Sequence, residues 1–260
     1  MISFATLFSS SKGNSVFVSS GKTKVLVDAG MAACHIENEM KKIGESMKDI
    51  AALLITHEHQ DHIKSAGSLS RRYDIPIYAA PKLWECYHGF GNISERNQRK
   101  YDYGMTIGDL TFDFFKTFHD AIQPVGLIIT NGNQKLGICT DTGIVTPKMI
   151  EMLKNADGLV FESNHDPMLL RNSRYAPALK ARIAGNCGHL SNEAAVDALK
   201  KIIGPATKEI LLAHLSEENN RPEIAYQRAF DGLREYGVGD TIRLSVAPPD
   251  HTSNIIKLDE

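Results

Sequence analysis

Long apolar runs are missing from this 260-residue chain. None approaches the roughly 20 residues that a membrane-spanning helix needs, so no span is expected. The N-terminus, Met1-Ile2-Ser3-Phe4-Ala5, has no basic region, apolar core or cleavage signal, and nothing in it marks export. Cysteine is sparse: Cys34, Cys86, Cys139 and Cys187 are scattered and form no Cys-x-x-Cys pair. They read as reduced thiols in a cytoplasmic protein, with Cys187 expected to fill space. Excess charge is absent too. A net charge of -2 and a pI near 6.6 give no global attraction to nucleic acid or anionic lipid, so any polyanion site must be a local patch. Repeats, low-complexity tracts and linkers are also lacking.

What is present is an ordinary globular composition, 42% apolar and 23% charged, long enough for a substantial core. Segments rich in Val, Ile, Leu and Phe and bounded by Gly, Asp, Asn or Pro predict strands at Ser3–Leu7, Val16–Val18, Lys24–Val27, Ala52–Ile55, Ile75–Tyr78, Leu110–Thr117, Val125–Thr130, Lys135–Cys139, Gly158–Phe161, Glu209–Leu212 and Thr241–Leu244. Asn131-Gly132-Asn133 signals a hairpin. Helical patterns occupy Ala33–Ile43, Ser65–Tyr73, Lys82–His88, Pro147–Lys154, Asn192–Ile203 and Pro222–Tyr236. Hairpins in each half with helices between them predict an α+β sandwich, sheets inside and helices outside, as one domain over residues 1–260.

The most informative stretch is Thr56-His57-Glu58-His59-Gln60-Asp61-His62. It follows the apolar segment Ile50–Ile55 and sets three imidazoles and a carboxylate at a strand end, the ligand types preferred by zinc, iron and manganese. A dinuclear site needs further ligands, and these too must follow strands to reach the same edge. His119 ends one strand, Asp141 follows Leu136–Thr140, and His214 follows Ile210–Ala213. Alone, each has a plainer reading as a strand-end histidine satisfied by backbone or an aspartate capping a turn. Their recurrence at one structural position favours metal.

In that order, His-x-His-x-Asp-His, His, Asp, His, the chain resembles the metallo-β-lactamase superfamily, and Val25-Leu26-Val27-Asp28-Ala29-Gly30 is similar to its early strand and turn. The resemblance implies a four-layered αββα sandwich. It also implies two divalent ions, zinc or manganese with iron(II) as an alternative. His57, His59 and His119 would hold one ion, Asp61, His62 and His214 the other, and Asp141 would bridge them. Neutral imidazoles with few carboxylates leave a net positive site suited to an anionic substrate.

The fold hosts several chemistries, so other residues must discriminate. Gly188-His189-Leu190-Ser191-Asn192 opens a helix with a histidine not needed for metal, and Glu162-Ser163-Asn164-His165-Asp166 sets a carboxylate at another strand end. A histidine held by a glutamate can donate a proton to a leaving alkoxide, as phosphodiester cleavage requires. The plainer readings are a helix N-cap cluster and a structural turn. These segments resemble the phosphodiesterase branch that contains ribonuclease Z. With Ser9-Ser10-Ser11-Lys12-Gly13-Asn14-Ser15 and His214-Leu215-Ser216-Glu217-Glu218-Asn219-Asn220, they resemble the YycJ/WalJ family of bacterial nucleases.

That resemblance implies a 5′-to-3′ exonuclease on DNA. A metal-bridging hydroxide would attack phosphorus in line, Asp61 would serve the metal site, and His189, oriented by Glu162, would be the general acid. Ser11, Lys12, Gly13 and Asn14 form a polar loop that could meet a phosphate, or equally a plain β-turn. Arg171, Arg174, Lys180 and Arg182 with Tyr175 make one basic-aromatic stretch, and Arg96, Arg99 and Lys100 with Tyr101 a second. His165 is expected either to support a ligand residue or to contact substrate, whereas His35, His88 and His251 stand outside any motif and read as surface or packing residues. A homodimer extending the binding surface is a further expectation. The alternatives are a ribonuclease or cyclic-phosphate hydrolase on the same fold and, against the full ligand set, a non-enzymatic regulatory protein.

Overall fold

The computed structural model describes residues 1–238 and 241–258. Its first sheet contains β1 (Ser3–Ser10), β2 (Gly13–Ser19), β3 (Lys24–Val27), β4 (Ile50–Leu54), β5 (Ile77–Ala79) and β6 (Gln98–Lys100). The second contains β7 (Met105–Ile107), β8 (Leu110–Lys116), β9 (Val125–Asn131), β10 (Gln134–Cys139), β11 (Gly158–Glu162), β12 (Glu209–Ala213) and β13 (Arg243–Val246). A last strand, β14 (Ile256–Lys257), returns to pair with β1. The strand orders are β14-β1-β2-β3-β4-β5-β6 and β13-β12-β11-β10-β9-β8-β7. Each sheet begins as an antiparallel meander and continues as parallel strands.

Period-two alternation builds the layers, because successive side chains of a strand point to opposite faces. In β3, Val25 and Val27 join Phe112 of β8 and Leu136 of β10 between the sheets, while Leu26 faces outward. There it meets Ile36 and Met40 of α1 (Ala33–Lys42). In β11, Val160 faces inward, while Leu159 and Phe161 pack outward against Leu199 and Ile202. Those two leucine-type contacts come from α8 (Asn192–Ile202). The other helices are α2 (Gln60–Ile63), α3 (Ala66–Tyr73), α4 (Pro81–Cys86), α5 (Pro147–Leu153), α6 (Pro167–Asn172), α7 (Pro177–Ile183) and α9 (Pro222–Glu235). Of these, α3 and α4 cover the first sheet beside α1, and α5 and α9 cover the second beside α8. Three apolar interiors therefore separate four layers, the αββα sandwich.

The elements absent from the sequence expectations are short or polar. β6 reads Gln-Arg-Lys, is fully exposed, and forms only because β5 offers it an edge. β7, β14 and α2 have no more than four residues each, too few to show a period. α6 and α7 carried a usable signal, since each has proline at its first position.

Candidate active site

The strand directions bring the chemistry to one edge. β3, β4, β5 and β6 run parallel, as do β10, β11 and β12, and β8 lies two antiparallel steps from β10 and so points the same way. Residues beyond the carboxyl ends of these strands gather where open α/β sheets place their ligands. Asp28 follows β3, His57–His62 follow β4, His119 follows β8, Asp141 follows β10, and His214 follows β12. Asp28, Asp141 and His214 take φ of 64°, 57° and 56°, the left-handed region that turns a chain sharply off its strand. Gly30 permits the closest approach: a Cβ there would sit 1.7 Å from the Asp61 carbonyl oxygen.

The side chains converge as four overlapping groups. His57, His59 and His119 form one, Asp61, His62 and His214 another, and His57, His62 and Asp141 a third; Asp141, Glu162, His189 and His214 form the fourth. Within each group the ligand atoms lie within 4.8 Å of one another. Asp141 is central, with Oδ2 3.3 Å from His62 Nε2 and Oδ1 3.6 Å from His214 Nε2 and 3.7 Å from His119 Nε2. Three buried atoms here, His57 Nε2, Asp141 Oδ2 and His214 Nε2, have no hydrogen-bond partner among the described residues. Buried polar groups are almost always paired, so unpaired ligand atoms facing a common centre fit a bound cation that would displace any proton they carry. The donor set, imidazole and carboxylate without thiolate, suits zinc, manganese and iron(II).

A second set of contacts fixes each ring. His62 Nδ1 donates to Asp28 Oδ2 at 2.7 Å, and Thr56 donates to the same carboxylate through N and Oγ1, both at 2.8 Å. His119 Nδ1 donates to the Gly188 carbonyl at 3.1 Å. Glu162, fully buried, accepts from His189 Nδ1 at 2.7 Å and His214 Nδ1 at 3.1 Å through Oε1. Its Oε2 accepts from the Thr142 and Leu190 amides at 3.0 and 3.3 Å. Such partners orient metal-binding histidines and select their tautomer.

Beneath Glu162 lies a buried polar network. Asn192 and Asn220 exchange amide hydrogen bonds at 3.0 and 2.9 Å, Ser163 Oγ donates to Asn192 Oδ1 at 2.6 Å, and Asn164 Nδ2 donates to the His214 carbonyl at 2.9 Å. Ser9 Oγ accepts from the His214 amide at 2.8 Å, and a bridge between Ser10 and Leu215 joins the two sheets at this edge.

Charge in the cluster follows from burial set against neighbours. Burial opposes ionisation of Asp141, yet His214, His62, His57 and His119 outweigh it and hold the carboxyl well below the carboxylate range. Burial is outweighed at Glu162 as well, where His189 and His214 bring the carboxyl down to about 2. His214 is pushed up to about 10 by Asp141, Asp61 and Glu162 against its burial, and Asp141 and Asp28 likewise raise His62. Burial and then the charge on His62 push His57 down, so its Nε2 keeps a free lone pair.

Comparison with known proteins agrees with this geometry. Residues 23–215 match the family described as the beta-lactamase superfamily domain. Exodeoxyribonuclease YycJ of Bacillus anthracis is 39% identical over 257 residues, covering 97% of each chain. The chain belongs to the YycJ/WalJ family of the metallo-β-lactamase superfamily. Exodeoxyribonuclease WalJ of Streptococcus pneumoniae serotype 2 is 35% identical over 262 residues, 98% of this chain and 97% of the relative. The short form of human tRNase Z shares the fold, with a TM-score of 0.67 at 16% identity, over 99% of this chain and 100% of that one.

Segments that mark the chain as a YycJ/WalJ member turn out to touch one another. Glu162–Asp166, Gly188–Asn192 and His214–Asn220 make the Glu162 network, and Ser9–Ser15 supports His214. Asn14 lies in β2, its Nδ2 3.3 Å from Asp61 Oδ2 and 3.1 Å from His62 Nε2, so it props the ligand cluster. Ser11 and Lys12 form the exposed two-residue turn between β1 and β2, and Lys12 pairs with Glu217 at 2.5 Å. His165 is buried, with Nδ1 unpartnered and burial lowering its pKa to about 4.

On α6 and the turn beyond it, Arg171 and Arg174 are exposed and form no ion pair among the described residues, whereas Arg182 is clamped on Asp120 at 2.6 Å and Lys180 donates to the Arg171 carbonyl. The second basic-aromatic stretch makes contacts within the fold. Tyr101 stacks on Phe114 at 3.8 Å and donates to the Ile55 carbonyl, and Arg96 and Lys100 pair with Asp74 and Glu85. Cys187 is exposed and fills no core. Asp28 carries the same sequence signal as Asp141, a carboxylate directly after an apolar strand, and accepts from His62 Nδ1.

Proposed function

We propose that this chain is a single-domain, dinuclear-metal-dependent phosphodiesterase that degrades DNA from the 5′ end. The observation that carries the reading is the His189–Glu162 pair beside the ligand cluster, in a chain similar over its whole length to two exodeoxyribonucleases. His57, His59 and His119 would hold one divalent ion and Asp61, His62 and His214 a second, with Asp141 shared. Bound there, the ions supply Lewis acidity that neutralises phosphate oxygens and makes water a stronger acid.

The chain's own groups do the rest. Glu162 occupies His189 Nδ1, which leaves Nε2 to carry a proton to the departing sugar oxygen. A sugar alkoxide is a poor leaving group, so this proton is needed at the moment of bond breaking. Asn14 and Asp28 keep Asp61 and His62 in place. Arg171 and Arg174 would track the strand's phosphates, with Ser11 and Lys12 in the turn between β1 and β2 and His165 as further contacts. A DNA substrate implies the cytoplasm, and among the described residues no helix is long and apolar enough to cross a membrane.

The deciding experiment follows DNA and RNA labelled at either end, with Mn²⁺ or Zn²⁺, for the wild type and for Asp61→Ala and His189→Ala. Loss of DNA from its 5′ end, abolished by Asp61→Ala and slowed by His189→Ala, is the expected outcome. Preferred cleavage of RNA would move the assignment to a ribonuclease, and cleavage of neither polymer would end the nuclease reading.

A further inference from the structure

Beside the ligand cluster lies a cavity of about 660 Å³ that the mechanism above leaves unused. His119 lines it on the catalytic side, and so does Cys187, two residues before His189. The cavity therefore adjoins the part of the site from which His189 would protonate the departing oxygen. Its volume falls within the ~300–1,000 Å³ of pockets that bury small ligands.

Its lining is suited to a nucleotide. The stacked rings of Tyr101 and Phe114 form one wall, and Tyr103 and Ile122, 80% and 37% exposed, stand among the lining residues. Large side chains left open around a cleft mark a contact surface, and an aromatic face takes any base. Thr117 also lines the cavity; it is 1% exposed, and its Oγ1 is buried with no hydrogen-bond partner among the described residues. An unpaired buried hydroxyl calls for a partner, which a bound ligand can provide. Lys82 and Lys116 are exposed lining residues without an ion pair among the described residues, Lys116 lying 5.2 Å over the Phe118 ring. Asp102 is the one carboxylate of the lining, and its Oδ1 already accepts from the Tyr103 amide. Two ammonium groups against one carboxylate favour an anion.

Building on the exonuclease reading, we propose that this cavity holds the 5′-terminal nucleotide of the strand, the one released in each turnover. In that hydrolysis the water oxygen bonds to phosphorus, the bond from phosphorus to the 3′ oxygen breaks, and His189 protonates that oxygen. The released nucleotide is thus the leaving group, and it must sit on the His189 side. Its base packs against the aromatic wall, Thr117 Oγ1 meets a polar edge, and Lys82 and Lys116 face its 5′ phosphate. A pocket sized for one nucleotide also accounts for stepwise cutting from an end.

The test is calorimetric titration of the metal-loaded protein with deoxyadenosine 5′-monophosphate and with deoxyadenosine, alongside kinetics on a 5′-labelled oligonucleotide. Tyr103→Ala is expected to weaken both ligands about tenfold, in line with the loss of one stacking contact. The double variant Lys82→Ala/Lys116→Ala should weaken the monophosphate alone. In each, the oligonucleotide KM rises by a similar factor while kcat falls less, and Lys201→Ala on α8 serves as the unchanged control. Unaltered nucleotide binding in these variants, or none by the wild type at millimolar concentration, overturns the proposal even if DNA is digested. Binding that the variants weaken, in a protein that digests no DNA, keeps the nucleotide site and removes the exonuclease reading instead.

Discussion

Glu162→Gln is the most demanding perturbation of this site, because every group around the carboxylate is a donor. Oε1 receives two imidazole N–H groups, from His189 and His214, and Oε2 receives two backbone amides, from Thr142 and Leu190. With its carboxyl brought down to about 2, Glu162 is anionic at any assay pH. A glutamine of the same shape must turn its NH₂ toward one pair, donor against donor. Facing the amides, it leaves two buried N–H groups unpaired. Facing the histidines, it forces them into the other tautomer, with the proton on Nε2 of His214, where a metal ligand needs its lone pair. Removing one partner of a buried charged pair costs about 3–5 kcal/mol, and loss of a positioned general acid costs about 10²–10⁴-fold in rate. The expected result is an unfolding free energy from urea titration lowered by that amount and a kcat lowered by at least 10² at matched metal content. Because Glu162 acts on the proton donor through His189, adding His189→Ala to Glu162→Gln should cost little more in kcat than Glu162→Gln alone. A Glu162→Gln protein within 1 kcal/mol of wild-type stability and within tenfold of its rate, both about the noise of such comparisons, would refute this reasoning.

Asp28→Asn should weaken metal binding about 10–100-fold, since the Asp28 carboxylate is the short 2.7 Å partner of His62 Nδ1; competition with a chromophoric chelator measures it, and unchanged affinity removes Asp28 from the site. Gly30→Ala drives a Cβ to 1.7 Å from the Asp61 carbonyl oxygen, so the ligand loop must move; a fall in both Tm and activity is expected, and an unshifted Tm would show that the approach is relaxed. Proton release should accompany metal uptake. His214, raised to about 10, and His62, raised above its ordinary range, hold protons at pH 7 that an entering ion displaces, about two per chain by pH-stat. The His214 share should vanish as the pH rises through 10, and release that is absent at pH 7 would contradict the charge assignment.

Strands proved legible where their side chains alternate in burial or run apolar, as in Lys24–Val27 and Gly158–Glu162, because the sandwich buries both faces of its central strands. The clustering of these histidines and aspartates was legible for a related reason: a polar residue directly after a buried strand must sit at the sheet edge. What stayed hidden was pairing at a distance. Nothing in the string says that Asn192 and Asn220 exchange hydrogen bonds, or that Tyr101 spends its ring on Phe114 and its hydroxyl on Ile55. Asn14 was placed with the substrate because Ser11–Asn14 looks like a phosphate loop. In the fold the turn ends at Lys12, and Asn14 faces inward from β2 onto Asp61. β6, an edge strand of Gln-Arg-Lys, has no local signal at all.

The cluster that makes this edge reactive also weakens the fold before metal arrives. Asp28, Asp141 and His214 occupy left-handed backbone, a conformation that costs of order 1–3 kcal/mol at residues other than glycine. His57 is buried neutral, and His57 Nε2, Asp141 Oδ2 and His214 Nε2 stay unpaired, each a further desolvation cost. The carboxylates and the two raised histidines offset part of this by sharing protons across the site. An ion that binds those atoms, displacing the histidine protons, removes the remaining penalty, so its binding energy adds to folding stability by linkage. The same strain that fixes the ligands at one edge therefore ties the stability of the YycJ/WalJ fold here to the filling of its site.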